Sequence, residues 1–261
     1  MSQTPPPPPP GSPMRFTTIA HARHRLLSPL SEERLAWLLA ALAAEGLPQG
    51  ARVLDVGCGK AELALRIAAD RAGHATGVDP NAAFLSAARE RASELGVGGR
   101  FTAVASTFAE ADLTARSFDL ACCVGSTHAF GTFDGTLAGL ARLAAPGGLV
   151  LVGEGHWRRP PAAEYLDFLG GGEDELVAYE ARLGAVRAAG LDLVLAWESS
   201  FEEWDAYEGL YADTMRRHLA AHPDDPDHAA FTERIETWSA MYRRHGRATL
   251  GFGFFLARVA R

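Results

Sequence analysis

The chain has 261 residues, of which 48% are hydrophobic, and a net charge of −7, with an isoelectric point near 5.7. It is long enough and apolar enough for one large core. Its acidic balance argues against a nucleic-acid backbone as the main partner, since that would call for a basic stripe. No apolar run is long enough to span a bilayer, and the N-terminus lacks the basic and apolar parts of a secretory signal. Three cysteines, two of them adjacent (Cys122 and Cys123), make no disulfide framework. The expected compartment is therefore the cytoplasm.

Six consecutive prolines, Pro5 to Pro10, mark residues 1–13 as an extended tail, with order beginning near Phe16. Two helical stretches are expected around Ser28–Glu45. The pattern starts at Ser31-Glu32-Glu33, carries an apolar stripe of Leu35, Leu38, Leu39 and Leu42, and stops at Gly46 and Pro48. His21 and His24 stand three apart just before it. Spacing places no further ligands beside them, so they are expected to pack rather than hold a metal.

Alternating units then begin. Val53–Val56 is a short apolar run suited to a buried parallel strand. Gly57-Cys58-Gly59 breaks it into a tight turn, and a helix is expected near 60–72. Further strands are expected at 75–78, 101–104, 120–124, 149–153 and 191–197. Helices near 82–95 (capped by Asn81), 134–143 and 173–189 lie between them. Residues 201–245 read as two helices around the turn-rich 222–227. One has a stripe of Trp204, Tyr207, Tyr211 and Met215, and the other has Phe231, Ile235, Trp238 and either Met241 or Tyr242. Such stripes are ordinarily core, and the alternative is an aromatic lid over an organic substrate. Strands alternating with helices imply a parallel sheet covered on both faces.

The turn at 57–59 is not a dinucleotide fingerprint, because the third glycine would fall at Glu62. Asp55, two residues before Gly57, would repel a pyrophosphate but suits a cationic ligand. Asp79 ends the next apolar segment 24 residues later, where an acid can accept from both hydroxyls of a ribose.

Asp55-x-Gly57-x-Gly59 with Gly77-Val78-Asp79 resembles the class I S-adenosylmethionine (SAM)-dependent methyltransferases. Ser117-Phe118-Asp119-Leu120 and Ala145-Pro146-Gly147-Gly148-Leu149 add to the likeness over about residues 50–155. Ile19-Ala20-His21, Gly153-Glu154-Gly155-His156-Trp157 and Leu250-Gly251-Phe252-Gly253 are similar to a bacterial branch of uncharacterised small methyltransferases. The resemblance implies an α/β fold with a Rossmann-like doubly wound seven-stranded sheet. That sheet would be mostly parallel with an antiparallel C-terminal strand near 250–259, and 201–245 would form a helical lid in a domain spanning 14–261. It also implies SAM as cofactor, no metal, and a small-molecule methyl acceptor. Neither the acceptor atom nor the oligomeric state can be read from the residues.

By the same resemblance, Gly57, Cys58 and Gly59 meet the methionine portion, and Asp55 orders the loop or meets the ammonium. Asp79, with Pro80, takes the ribose. Phe84 lies beside adenine unless it is simply core. Many relatives carry an acid near adenine where this chain has Ser106 and Thr107, and Val124 completes the cofactor-binding set. Lys60 is expected to point to solvent. Acceptor-side candidates follow the fourth and fifth strands: His128, Glu154 and His156, beside Ser126, Thr127 and Trp157. Histidine suits a general base by its accessible pKa, although methyl transfer needs a base only if the acceptor must lose a proton. Two rivals remain at this stage: a SAM-derived group transferase of another kind, for which the acids of a polyamine site are lacking, and a non-enzymatic binder on the same fold.

Overall fold

The computed structural model of the protein describes residues 8–171 and 176–261. The first seven residues of the proline tail, and the first part of the helix expected from 173, lie outside the described residues. Seven strands form one sheet: β1 (Arg52–Val56), β2 (His74–Val78), β3 (Phe101–Val104), β4 (Phe118–Val124), β5 (Ala144–Trp157), β6 (Asp192–Glu198) and β7 (Leu250–Arg258). Their order is β3-β2-β1-β4-β5-β7-β6. The first five pair in parallel, and β7 runs antiparallel between β5 and β6. This is the mixed Rossmann-like sheet that the sequence implies.

Period-two alternation sorts the strand residues between two cores. Val53, Leu120, Cys122, Leu149 and Leu151 face one layer of helices, α2 (Glu32–Ala44) and α3 (Glu62–Asp70). Leu54, Ala121, Cys123, Val150 and Val152 face the other, α5 (Phe133–Leu143) and α7 (Tyr179–Ala188). Cys122 and Cys123 therefore sit on opposite faces, and both are free thiols. The helix α4 (Ala82–Glu94) starts where Asn81 accepts from the N–H groups of Ala83 and Phe84, as a cap should.

Three helices sit outside the sheet layers: α1 (Arg15–Ala20), α8 (Phe201–Ala221) and α9 (His228–Met241). Phe16, Ile19 and Ala20 of α1 bury against Ala212, Met215, Leu219 and Ile235. Arg15, 7% exposed, bonds Asp225 at 2.7 Å and Asp227 at 2.7 Å in the α8–α9 turn. The N-terminal helix and the 201–245 insertion thus form one body over the carboxyl ends of the strands. The short α6 (Ala163–Leu169) was not expected from the sequence. Only one helix, α2, falls within Ser28–Glu45; α1 precedes it. Among the described residues no helix is long and apolar enough to cross a membrane.

The fifth strand differs most from expectation. It runs through Gly153–Trp157, past the end expected at 153. In the structure, Glu154 to Trp157 pair with Gly253 to Leu250 of β7. Both strands are rich in glycine here because each makes room for a large neighbour. A Cβ at Gly251 would lie 2.1 Å from Nε2 of His156.

Candidate active site

The strand order reverses between β1 and β4, and at such switch points the carboxyl ends of the strands open a crevice. A cavity of about 590 Å³ lies there. Gly57 and Gly59, at φ +69° and +54°, turn the chain over its mouth in the left-handed region that glycine enters without strain. The N–H groups of Gly57 and Cys58 donate to the Val78 carbonyl at 2.8 and 3.1 Å. Asp79, 9% exposed, accepts from the Gly59 N–H and the Asn81 N–H, both at 2.8 Å. One carboxylate therefore ties the glycine loop to the start of α4, and each oxygen keeps a lone pair for a further donor.

Of the residues expected at the cofactor, Gly57, Gly59, Asp79, Pro80, Phe84, Ser106, Thr107 and Val124 line this cavity. Asp55 and Cys58 line a much smaller one beside it, beneath the segment Arg25–Leu30. Burial, with the Asp79 charge as a second cause, pushes the Asp55 carboxyl up to about 7. Burial also raises Asp79, against the pull of its two backbone donors. Ser106 Oγ is buried without a hydrogen-bond partner among the described residues, so a polar atom on this wall awaits one. Thr107 instead bonds Glu110 at the start of a 3₁₀ turn.

A second cavity of about 380 Å³ adjoins the first. Its wall is aromatic, with Trp157, Trp204, Tyr207, Tyr211, Trp238 and Phe252. The stripes of α8 and α9 therefore divide: Met215 and Ile235 are core, while Trp204, Tyr207, Tyr211 and Trp238 face the cavity. His21, Gly125 and Tyr207 line both cavities and form the neck between them.

The chemistry of the neck follows from its hydrogen bonds. His21 Nδ1 lies 2.9 Å from the Thr17 carbonyl, which can only accept, so Nδ1 carries the proton. Burial pulls the His21 pKa down to about 4, so the ring is neutral and Nε2 is a lone pair. The Tyr207 hydroxyl, 2.8 Å away, donates to it, which leaves the Tyr207 oxygen free to accept. His24 Nε2 lies 3.1 Å from the Tyr207 carbonyl and anchors the same residue from below. Lys60 does not point to solvent. Its ammonium donates to the carbonyls of His21, Ala22 and His24 at 2.8, 2.8 and 2.9 Å, pinning the histidine turn to the glycine loop.

The three acceptor-side candidates separate. Glu154 lines the aromatic cavity, where it accepts from the Gly155 N–H at 2.7 Å and from the Thr127 hydroxyl. His128 is exposed on the turn after β4 and lines only the glycine-loop cavity, near enough to lower the Asp79 pKa. His156 reaches neither cavity. As a strand residue it is 0% exposed, its ring packs on Tyr179 at 5.2 Å, and its Nε2 meets the Glu198 carboxylate. Burial holds its pKa down despite that carboxylate. The placement of His128 and His156 on the acceptor wall is corrected accordingly: the connection that was to carry His156 is paired strand.

Glu208 was given no role from the sequence, and His21 and Tyr207 were not brought together. Helical spacing already put Tyr207 on a stripe, but His21 and Tyr207 are 186 residues apart, and no local pattern joins them. Among the described residues there is no group of His, Cys, Asp and Glu that could hold a metal ion.

A Rossmann-like sheet of this order, with a glycine loop after β1 and an acid after β2, defines the class I methyltransferase architecture. A family model described as a methyltransferase domain matches residues 53–148. A SAM-dependent methyltransferase from Geobacter sulfurreducens, crystallised with S-adenosylhomocysteine, is 32% identical over 95% of this chain and 98% of its own, with a TM-score of 0.87. A second from Thiobacillus denitrificans, also with S-adenosylhomocysteine, matches at 32% identity over 95% and 98%, with a TM-score of 0.86. The uncharacterized protein YjhP of Escherichia coli (strain K12) is 34% identical over 95% of this chain and 98% of its own, and its crystal structure superposes with a TM-score of 0.86. The chain belongs to the SAM-dependent methyltransferases.

Proposed function

We propose that the protein transfers a methyl group from SAM to a small organic acceptor seated in the aromatic cavity. One observation carries this: the glycine-loop cavity and the aromatic cavity meet at a neck made of His21, Gly125 and Tyr207. SAM, when bound, supplies an activated methyl carbon on a sulfonium. Gly57 and Gly59 admit the backbone close to its methionine part, and Asp79 accepts from the ribose. Phe84 offers a ring face, and Ser106 Oγ offers the polar contact that the usual adenine acid would make. Buried acids suit the cofactor's charge, since Asp55 and Asp79 have no Arg or Lys in ion-pair range among the described residues.

In-line displacement leaves a neutral thioether, so the chain has no departing anion to stabilise. Its work is alignment, and orientation can supply about 7–11 kcal/mol of barrier. The Tyr207 oxygen, held by His21, can accept a hydrogen bond from the acceptor and aim its lone pair through the neck. Neither partner ionises readily: burial lowers His21 and raises Tyr207. This supports positioning over general-base catalysis at that pair.

Replacing Tyr207 with Phe removes the acceptor atom and keeps the ring. Turnover on a true acceptor should fall about 10- to 100-fold, as for one lost hydrogen bond at a reacting group, with SAM affinity within about twofold of wild type. Unchanged turnover would remove Tyr207 from the reaction.

A further inference from the structure

Four acids are buried among the described residues: Asp55, Glu62, Asp79 and Glu208. Buried charges are ordinarily paired, because an isolated one is costly in a low dielectric. Glu62 obeys this, with Arg91 at 2.8 Å and Arg66 at 3.4 Å. Asp55 and Asp79 sit where a cationic cofactor belongs. Glu208 has no such account. It is 8% exposed and lines the aromatic cavity. Its carboxylate accepts from Trp238 Nε1 at 2.7 Å, and no Arg, Lys or His forms an ion pair with it among the described residues. Instead it stands among tyrosines: its charge raises the pKa of Tyr165, Tyr207, Tyr211 and Tyr242.

An unpaired acid behind aromatic faces is a site for an organic cation. Ring quadrupoles attract a desolvated ammonium, and the carboxylate supplies the opposite charge. We propose that Glu208, with Trp204, Tyr207, Tyr211 and Trp238, forms a cage that takes an apolar amine as the methyl acceptor. This rests on the methyl-transfer reading of the same cavity. Glu208 also resolves a chemical requirement, because an ammonium has no lone pair to attack with. One proton passes from the ammonium nitrogen to the Glu208 carboxylate, giving a free amine and a neutral carboxyl. The nitrogen then forms the N–C bond as the C–S bond breaks, its electron pair going to sulfur, and the methylated ammonium leaves. Burial already pushes the Glu208 carboxyl up to about 7, so it accepts a proton near neutrality.

Three tryptophans line the cavity, Trp157, Trp204 and Trp238, so intrinsic fluorescence reports its occupancy. With the full chain, titrated both with and without S-adenosylhomocysteine, benzyltrimethylammonium should bind at least about tenfold more tightly than benzyl alcohol. Glu208→Gln, which keeps an acceptor for Trp238, should erase that preference. Trp204→Leu should weaken the cation more than the alcohol. Equal or tighter binding of benzyl alcohol to the wild type would overturn the cage, and this comparison stands even if a variant fails to fold. A preference retained in folded Glu208→Gln would also overturn it. Calorimetric titration with S-adenosylhomocysteine separates the two readings. If the cofactor product does not bind while the cation preference holds, methyl transfer fails and the cage survives; if it binds and the preference is absent, the cage fails alone.

Discussion

Lys60 sits in the glycine motif yet reaches backwards to three carbonyls of the His21–His24 turn. Lys60→Met keeps most of the stem and removes all three bonds. A hydrogen bond from a charged donor contributes about 1.5–3 kcal/mol, but this ammonium is partly desolvated, which lowers its pKa to about 8. That desolvation, which takes the ammonium from 10.5 down to about 8, offsets about 3 kcal/mol of the gross gain. Some of the freed carbonyls will also find water. The net loss should be about 2–3 kcal/mol, or a fall in Tm of about 5 °C for a chain of this size. The turn carries His21 and continues into Leu27, and both line the cofactor cavity together with Met14 and Thr17. SAM affinity should therefore fall about tenfold. Differential scanning fluorimetry and calorimetric titration read the two effects on one preparation. A Lys60→Met protein with wild-type Tm and wild-type SAM affinity would refute the coupling of the histidine turn to the glycine loop.

Asp79→Ala should weaken SAM binding about 10- to 100-fold, through lost charged hydrogen bonds of about 1.5–3 kcal/mol; titration of a folded variant with unchanged affinity would remove Asp79 from the ribose. A chain beginning at Met14 should keep both Tm and SAM affinity, since the described part of the tail, residues 8–13, carries none of the lining residues; a large loss of either would mean that the tail docks. Glu208 gives a pH dependence of defined sign. Its folded pKa of about 7 lies above the unfolded 4.5, so between those values the native state holds a proton that the unfolded chain has released. Stability contributed by the neutral carboxyl is thus lost as pH rises through that window. Glu208→Gln should gain on the unliganded wild type by about 3 kcal/mol between about pH 4.5 and about pH 7.5, measured by urea unfolding; a constant difference across that range would contradict the burial of an unpaired acid.

What was legible in the sequence was what the chain places locally. The spacing from Asp55 to Gly59 and the acid at the end of β2 are set within one strand–turn–helix unit and its return, so the glycine-loop cavity could be lined in advance. Leu120–Cys123 is apolar at every position, as a strand covered on both faces must be, and the structure divides it between the two cores. The aromatic cavity was only half visible. Helical periodicity grouped Trp204, Tyr207 and Tyr211, but which side of a stripe is core depends on packing partners, and α1 took Met215 and Ile235. His156 was misplaced because the fifth strand was ended at 153; pairing with β7 carries it on to Trp157, and Gly251 of β7 leaves room for the histidine ring. Lys60 was misplaced because three backbone carbonyls leave no side-chain signature. Glu208 is one of several acids on α8, and no local spacing marks it as the one that α9 and Trp238 cover.

The central claim is that methyl leaves SAM for a small molecule lodged beneath α8 and α9. Its most direct test incubates the full chain with methyl-labelled SAM and a pool of small organic amines, and separates products by mass. The account predicts label in a small methylated amine, with yield reduced about 10-fold or more in Tyr207→Phe and in Asp79→Ala at limiting SAM. Label that stays in SAM throughout, or a small labelled product formed by both variants at the wild-type yield, would contradict it.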